Sequence, residues 1–327
     1  MSMVLGLPSW AQIVGALGVA GGVVALAGAR TIAALRAWGQ RQRIRDDAPT
    51  RHREKAGTPT MGGVLIVAGI TAAALLLAGP QPPVLFALAA LLGFGAIGLW
   101  DDLLAVRRNR NLGLRARERL ALQLSLGFGL AWVAARQPWL DTAVTVPGLG
   151  NVDLGWSYVI FAGLLLVGFT NAVNLTDGLD GLAAQLVAVA AVGFFAIALM
   201  RDLVPAAVVA IAVAGACAGF LPFNVHPARV FMGDVGSNAL GGALAALAII
   251  TGAEVALFVI GGVFLAVAAS VILQVAYFKI TGGRRIFRMS PLHHHFELVG
   301  WSEPTIVRRF TWAGVLCNLI GLLVTVR

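Results

Sequence analysis

Apolar stretches of close to twenty residues, nearly free of charge, recur along the whole chain and constrain its fold more than any other feature. A bilayer core takes about 20 residues of helix to cross. Inside it every backbone N–H and C=O must find a partner within the protein, which helices and closed barrels alone achieve. The stretches fall near 9–35, 61–78, 83–100, 119–136, 157–173, 181–200, 205–222, 238–252, 255–278 and 306–325. They predict an all-α integral membrane protein of about ten transmembrane helices, a single polytopic membrane domain over 1–327. The first stretch is too long and glycine-rich for a signal-peptide core and reads as a retained span. Composition agrees: 59% of residues are hydrophobic and 12% charged, with a mean hydropathy of +0.86. A soluble domain has about half and about a quarter. The link 137–156 contains TAVTVPGLGNVDLGW, whose alternation around Pro147-Gly148 predicts a small hairpin on the membrane surface.

The net charge of +9 does not point to nucleic acid, because the basic residues sit beside the spans. Twenty of the 24 Lys and Arg fall in the links after the odd-numbered spans, leaving Arg30, Arg136, Arg201 and Arg327. By the positive-inside bias those links are cytoplasmic, both termini lie outside and the hairpin is periplasmic. Cys217 and Cys317 lie within apolar stretches and read as small buried hydrophobes.

Asp101, Asp102, Asp177, Asp180 and Asp234 fall in or beside the same cytoplasmic links, as do His52, His226, His293, His294 and His295. Acids beside membrane spans are costly to desolvate and need a pairing or functional reason. Their convergence predicts a site at the cytoplasmic face. In GLWDDLLAV, adjacent helical positions point about 100° apart. One of Asp101 and Asp102 then faces an ion while the other faces a proton or a neighbouring base; the plain alternative is a solvated helix end. In NAVNLTDGLDGLA, Asp177 and Asp180 are spaced i, i+3 to share a helix face with Asn174, and Gly178 and Gly181 leave room for a ligand.

In FNVHPARVFMGDVGSNALGG, Asp234 stands among Gly233, Gly236 and Ser237 at the mouth of a span. Backbone N–H groups at a helix start attract phosphate. A carboxylate there repels it unless a divalent cation intervenes, and oxygen donors without cysteine favour Mg²⁺ over zinc. HREKAGTPTMGG brings Lys55 to the same face. Lys55 and Lys279 are the only lysines among the 24 basic residues, so a retained lysine suggests a compact charge near phosphate, with a snorkelling lysine as the alternative.

Taken in order, HREKAGTPTMGG, WDD, NAVNLTDGLDGLA, FNVHPARVFMGDVGS and SPLHHHFELVGW resemble the motifs of the phospho-N-acetylmuramoyl-pentapeptide transferases. These are a branch of the polyprenyl-phosphate sugar-1-phosphate transferases of bacterial membranes. The resemblance runs from about residue 50 to the end, and HHHFE is the part that resembles this branch. It implies transfer of phospho-MurNAc-pentapeptide from UDP-MurNAc-pentapeptide to undecaprenyl phosphate, giving UMP and the first lipid-linked peptidoglycan intermediate. It also implies Mg²⁺ dependence, a homodimer, and a bacterial cytoplasmic membrane location with the active site facing the cytoplasm.

By the same resemblance, Asp101 and Asp102 are the paired catalytic acids, one of them the base toward the lipid phosphate, and Asp234 is the magnesium ligand. Asn174, Asp177 and Asp180 line a nucleoside pocket, and Phe231 stacks on uracil. Lys55, Thr60, Asn224, Gly233 and Ser237 complete the surroundings of phosphates and ribose, and Arg117 matches a basic family position. The chain departs from the family at Ala105, where a lysine is usual; Arg107 or Arg108 stands in its place as a cation. Three consecutive histidines fan out and do not all reach one ion. With Arg284, Arg285 and Arg288 just upstream, His293, His294 and His295 read as partners of the diphosphate or the sugar-peptide, with His294 and His295 in direct contact.

Two other readings stand beside this one. A sister transferase using UDP-GlcNAc shares the aspartate motifs but not HHHFE. A transporter would keep its ionisable groups near the midplane, in repeated halves with broken helices.

Overall fold

The computed structural model describes residues 7–38, 57–108 and 113–325. Four helices come first: α1 (Ser9–Ala37), α2 (Gly63–Leu77), α3 (Pro82–Arg107) and α4 (Ala116–Ala134). A hairpin follows, β1 (Ala143–Val146) and β2 (Gly150–Asp153), then α5 (Ser157–Thr176), α6 (Leu182–Met200), α7 (Val204–Asn224) and α8 (Gly233–Ile250). The chain closes with α9 (Glu254–Ile260), α10 (Gly262–Ile280), α11 (Leu292–Val299) and α12 (Glu303–Thr325).

Eight of these helices are long and apolar enough to cross a membrane, and α2 is a shorter apolar helix of 15 residues. The protein is therefore an all-α integral membrane protein, as the apolar stretches predict. Each expected span corresponds to a helical segment, with four adjustments. The span expected near 255–278 is divided at Gly261, where Phe169 of α5 presses on the backbone: a Cβ there would lie 2.4 Å from its ring. Helix α3 continues past residue 100 to Arg107, so Asp101 and Asp102 lie within it. Helix α8 begins at Gly233, whose φ of 76° starts the turn.

The fourth adjustment concerns the acids after α5. That helix stops at Thr176, with Asp177 as its cap, and Gly181 at φ 77° begins a new one. Asp177 and Asp180 thus sit on a turn and do not share a helix face. Of the glycines expected to make room for a ligand, Gly181 caps the start of α6 and the space beside Gly178 is taken by the His293 ring.

Helix α8 is the axis of the bundle. Every residue from Val235 to Ile250 is buried. Helix α3 packs on α8, α8 on α5, α5 on α4 and α4 on α3, a closed ring of four. Missing side chains permit the closest approaches. A Cβ on Gly98 of α3 would lie 2.1 Å from the Asp234 carbonyl oxygen, and one on Gly241 would lie 2.6 Å from Thr170 Cα.

The hairpin pairs Ala143 with Asp153 and Val146 with Gly150, antiparallel. Asp153 accepts from the Gly155 N–H and the Thr142 hydroxyl, at 2.9 and 2.8 Å, and these bonds hold its carboxyl below the usual carboxylate pKa. Trp139 meets Phe86, near the start of α3, with ring centroids 5.7 Å apart. At the same end the Tyr158 hydroxyl donates to Glu254 Oε1 at 2.6 Å. The aspartate motifs gather at the opposite end.

Gly98→Ala should lower thermal stability in detergent by about 1–3 kcal/mol, the usual cost of overpacking. Gly22→Ala, where a Cβ meets nothing within 4 Å, should be neutral or stabilising. Parallel melts followed by size-exclusion chromatography check the contrast.

Candidate active site

At the far end from the hairpin, α3, α4, α5 and α8 bring carboxylates and one guanidinium together. Asp101 is buried, and its Oδ1 accepts from the Leu114 N–H at 2.6 Å. Its Oδ2 faces Arg119 Nη1 at 3.2 Å. The same Arg119 nitrogen lies 3.0 Å from Asp234 Oδ2. Asn174 Nδ2 donates to Asp234 Oδ1 at 2.8 Å and to Ser237 Oγ at 2.9 Å. Ser237, fully buried, donates in turn to the Gly233 carbonyl at 3.1 Å. Asp102 Oδ2 accepts from the Val235 N–H at 3.0 Å, at the start of α8. Helix starts favour carboxylates, so α8 itself helps hold this acid.

The loop before α2 zips onto the start of α8. Phe231 N–H donates to the Pro59 carbonyl at 2.8 Å, and Gly62 N–H donates to the Phe231 carbonyl at 2.9 Å. This brings Thr60 over Gly233. A Cβ on Gly233 would fall 2.8 Å from Asp102 Oδ2 and 2.9 Å from Thr60 Oγ1, so glycine leaves a small polar cradle there. Thr60, Asp101, Asp102, Asn174, Gly233, Asp234 and Ser237 therefore meet as one constellation.

A second cluster lies beside it. Asn224 Oδ1 accepts from the Gly181 N–H at 3.1 Å, and its Nδ2 donates to the Val230 carbonyl at 3.0 Å. Asp180 Oδ2 accepts from the Ala228 N–H at 3.0 Å and faces His226 Nδ1 at 3.1 Å. The Asp180 N–H donates to Glu303 Oε1 at 2.6 Å, and His226 Nδ1 lies 3.4 Å from Glu303 Oε2. Donor atoms of Asp180, His226 and Glu303 all fall within 4.8 Å of one another, a set able to hold a cation or to share the charge of a protonated imidazole. Three connections are tied here: the α5–α6 turn, the α7–α8 link and the start of α12.

The histidines lie on α11, where the His293 and His294 rings meet edge to face with centroids 4.3 Å apart. His293 is fully buried against the α5–α6 turn, where a Cβ on Gly178 would lie 2.3 Å from its Nε2. His294 Nδ1 meets Glu297 Oε2 at 2.6 Å. His295 Nδ1 accepts from the Arg288 N–H at 3.2 Å. Helix α11 is anchored by Phe296, stacked on Trp301 with centroids 4.4 Å apart. The basic loop before it is tied to α10 by Gln274, whose Oε1 accepts from Ile286 and Phe287 N–H, each at 3.0 Å. Arg284, Arg285 and Arg288 on that loop are exposed.

Lys55 and His52 lie outside the described residues. Arg117 is exposed on α4, and the guanidinium that reaches the acids is that of Arg119. Of the cations named for the place of Ala105, Arg108 is engaged with the Gly113 carbonyl at 3.0 Å. Sequence reasoning missed Arg119, Glu303 and Glu297. The available signal for Arg119 was its place at the first residue of the expected span 119–136, where an ionisable group at the edge of the apolar stretch requires a partner.

The family model described as Glycosyl transferase family 4 matches residues 84–252, which carry both aspartate motifs and Asp234. The Phospho-N-acetylmuramoyl-pentapeptide-transferase signature 1 matches residues 55–67. Among similar curated proteins is the phospho-N-acetylmuramoyl-pentapeptide-transferase of Moorella thermoacetica, 50% identical over 303 residues, 92% of this chain and 94% of that one. The protein of the same name from Heliobacterium modesticaldum is 49% identical over 313 residues, 95% of this chain and 97% of its own. That of Shouchella clausii is 46% identical over 290 residues, 87% of this chain and 89% of its own.

Arg119→Gln leaves Asp101 and Asp234 facing each other without their shared cation and should destabilise the protein. Adding Asp101→Asn should recover part of the loss. A double-mutant cycle on thermal stability should return a coupling of about 0.5–3 kcal/mol, the range for residues in one network.

Proposed function

The chain belongs to the phospho-N-acetylmuramoyl-pentapeptide-transferase family, and from that premise we propose that it moves phospho-MurNAc-pentapeptide from UDP-MurNAc-pentapeptide to undecaprenyl phosphate. The net reaction joins an oxygen of the lipid phosphate to the sugar-bearing phosphorus and breaks the P–O–P link of the donor, so UMP leaves. The observation that carries this reading is the meeting of Asp101, Asp102 and Asp234 with Arg119 and Asn174 at one end of the helical ring.

Both substrates are polyanions, so the barrier is chiefly one of bringing like charges together in line. Three carboxylates and a glycine cradle form a hard-oxygen donor set that suits Mg²⁺, and Asp234 and Asp102 are the residues that would hold it. Bound there, Mg²⁺ would offset the charge of the donor diphosphate. The neighbouring set of Asp180, His226 and Glu303 includes a nitrogen and suits Mg²⁺ less well. Arg119 keeps Asp234 aligned from one side and Asn174 from the other. Both oxygens of Asp101 accept bonds within the fold, Oδ1 from the Leu114 N–H and Oδ2 from Arg119, whereas Asp102 is held by backbone N–H at the start of α8. Asp102 is accordingly the better base toward the lipid phosphate, with Asp101 bracing the start of α4.

The nucleoside end of the donor fits the second cluster. Asn224 and Asp180 join the α5–α6 turn to the α7–α8 link, with the Phe231 ring half-buried at the edge toward Gly233. Asp177, on the same turn, and Lys55 belong to this pocket in the proposed assignment. The α11 histidines and Arg284, Arg285 and Arg288 would receive the diphosphate and sugar-peptide. The charge bias of the links supports a cytoplasmic-facing site in a bacterial cytoplasmic membrane, with both termini outside, and we carry the homodimer over as part of the proposal.

Purified protein with undecaprenyl phosphate and Mg²⁺ should release UMP from UDP-MurNAc-pentapeptide and not from UDP-GlcNAc; the opposite preference would overturn the donor assignment. Asp234→Asn should cut turnover by about 10³-fold or more while the melting temperature holds, as expected for a residue acting through charge in the transition state. Equal turnover in that variant removes Asp234 from the metal role.

A further inference from the structure

One helical turn deeper than the acids, the ring of α3, α4, α5 and α8 contains a second polar layer that the proposed reaction does not use. A turn of helix advances about 5.4 Å. The positions one turn on from Arg119, Asp234 and Asn174 are Gln123, Asn238, and Thr170 with Asn171. Asn238 and Thr170 are fully buried and Gln123 is 1% exposed. Packing brings these positions to one level. Ser237 meets Asn174 at 2.9 Å, and Gly241 lies against Thr170, so Asn238 falls between those two contacts along α8. On α4, Gly127 lies against Gly163 and Val167, and Gln123 Oε1 accepts from Asn171 Nδ2 at 2.8 Å.

Gln123 Nε2, Thr170 Oγ1, Asn238 Nδ2 and Asn238 Oδ1 are buried with no hydrogen-bond partner in the protein. Native folds rarely leave such atoms unmatched, and these four lie one turn inward from the acids on α4, α5 and α8. Two amide donors, an amide oxygen and a hydroxyl supply the two to four polar partners that a buried water requires.

We propose that this layer is a water-binding site holding one or two ordered waters, and that through them Gln123 and Asn238 act as positioning residues for the Arg119–Asp234 pair. Helix α4 packs on α3 and α5 and reaches α8 through Arg119. A water bridge from Gln123 to Asn238 adds a second brace between α4 and α8, directly behind the ion pair. The water site stands on the geometry alone; the positioning role rests on the proposed transfer reaction.

A crystallographic or cryo-electron-microscopy map that resolves ordered water tests the first part without any substrate. Density is expected within about 3 Å of the Asn238 amide and Gln123 Nε2. A dry layer in which Asn238 bonds Gln123 or Thr170 directly overturns the site. Kinetics test the second part. Asn238→Leu should lower kcat about tenfold with the donor KM unchanged, and Asn238→Thr, which keeps a polar atom, should restore most of it. Thr170→Val, nearly isosteric, should give a smaller loss in the same direction and serves if the leucine variant does not fold. Unchanged kcat in both Asn238→Leu and Thr170→Val, or no rescue by threonine, overturns the positioning role. If the donor assignment fails instead, the map result is unaffected.

Discussion

Close backbone contact around α8 is the constraint on which the rest depends. In a bilayer the helices gain little from burying apolar side chains against one another, because lipid tails are as apolar as leucine. Packing has to come from surfaces that approach very closely. Helix α8 supplies such surfaces on several sides, pressing its first turn against Gly98 of α3 and Gly241 against Thr170 of α5. That approach brings Asp234 within reach of the short Asn174 side chain, while Arg119 spans the wider gap from α4. The acidic constellation is thus a product of helix packing before it is a product of loop conformation.

Charge gives the constellation its instability and its use. Three acids share one end of the ring, and Arg119 divides its guanidinium between two of them. Such a site repels phosphate while no further cation is bound and attracts a divalent one. A more neutral arrangement would hold the helices together more comfortably and would draw a cation less strongly. Arg119 and Asp234 keep part of their side chains exposed, 27% and 31%, at this end of the ring.

The helical architecture was legible because long apolar stretches are a one-dimensional signal. Asp101, Asp102, Asp234, Asn174 and Ser237 were legible because an acid beside a span needs a reason, and glycines flanked several of them. What the sequence concealed was angular. The pair Asp177 and Asp180 reads as one helix face by spacing, yet Gly181 at positive φ ends that possibility. Arg117 and Arg119 differ by two positions on α4, and only the packing of that helix shows which one turns inward. Glu303 stands just before the expected span 306–325, and its bond to the Asp180 N–H depends on a contact 123 residues away in the chain.

The contact between His293 and Gly178 has a consequence for how such chains vary. The imidazole occupies the space that any side chain at 178 would need. Gly178 and His293 are therefore one unit of inheritance: a methyl gained at the turn would have to be met by a smaller ring, or none, on α11. Substitutions at the two positions should be found together or not at all, and a hybrid that took its turn from one relative and its histidine helix from another would inherit the clash wherever the two had diverged.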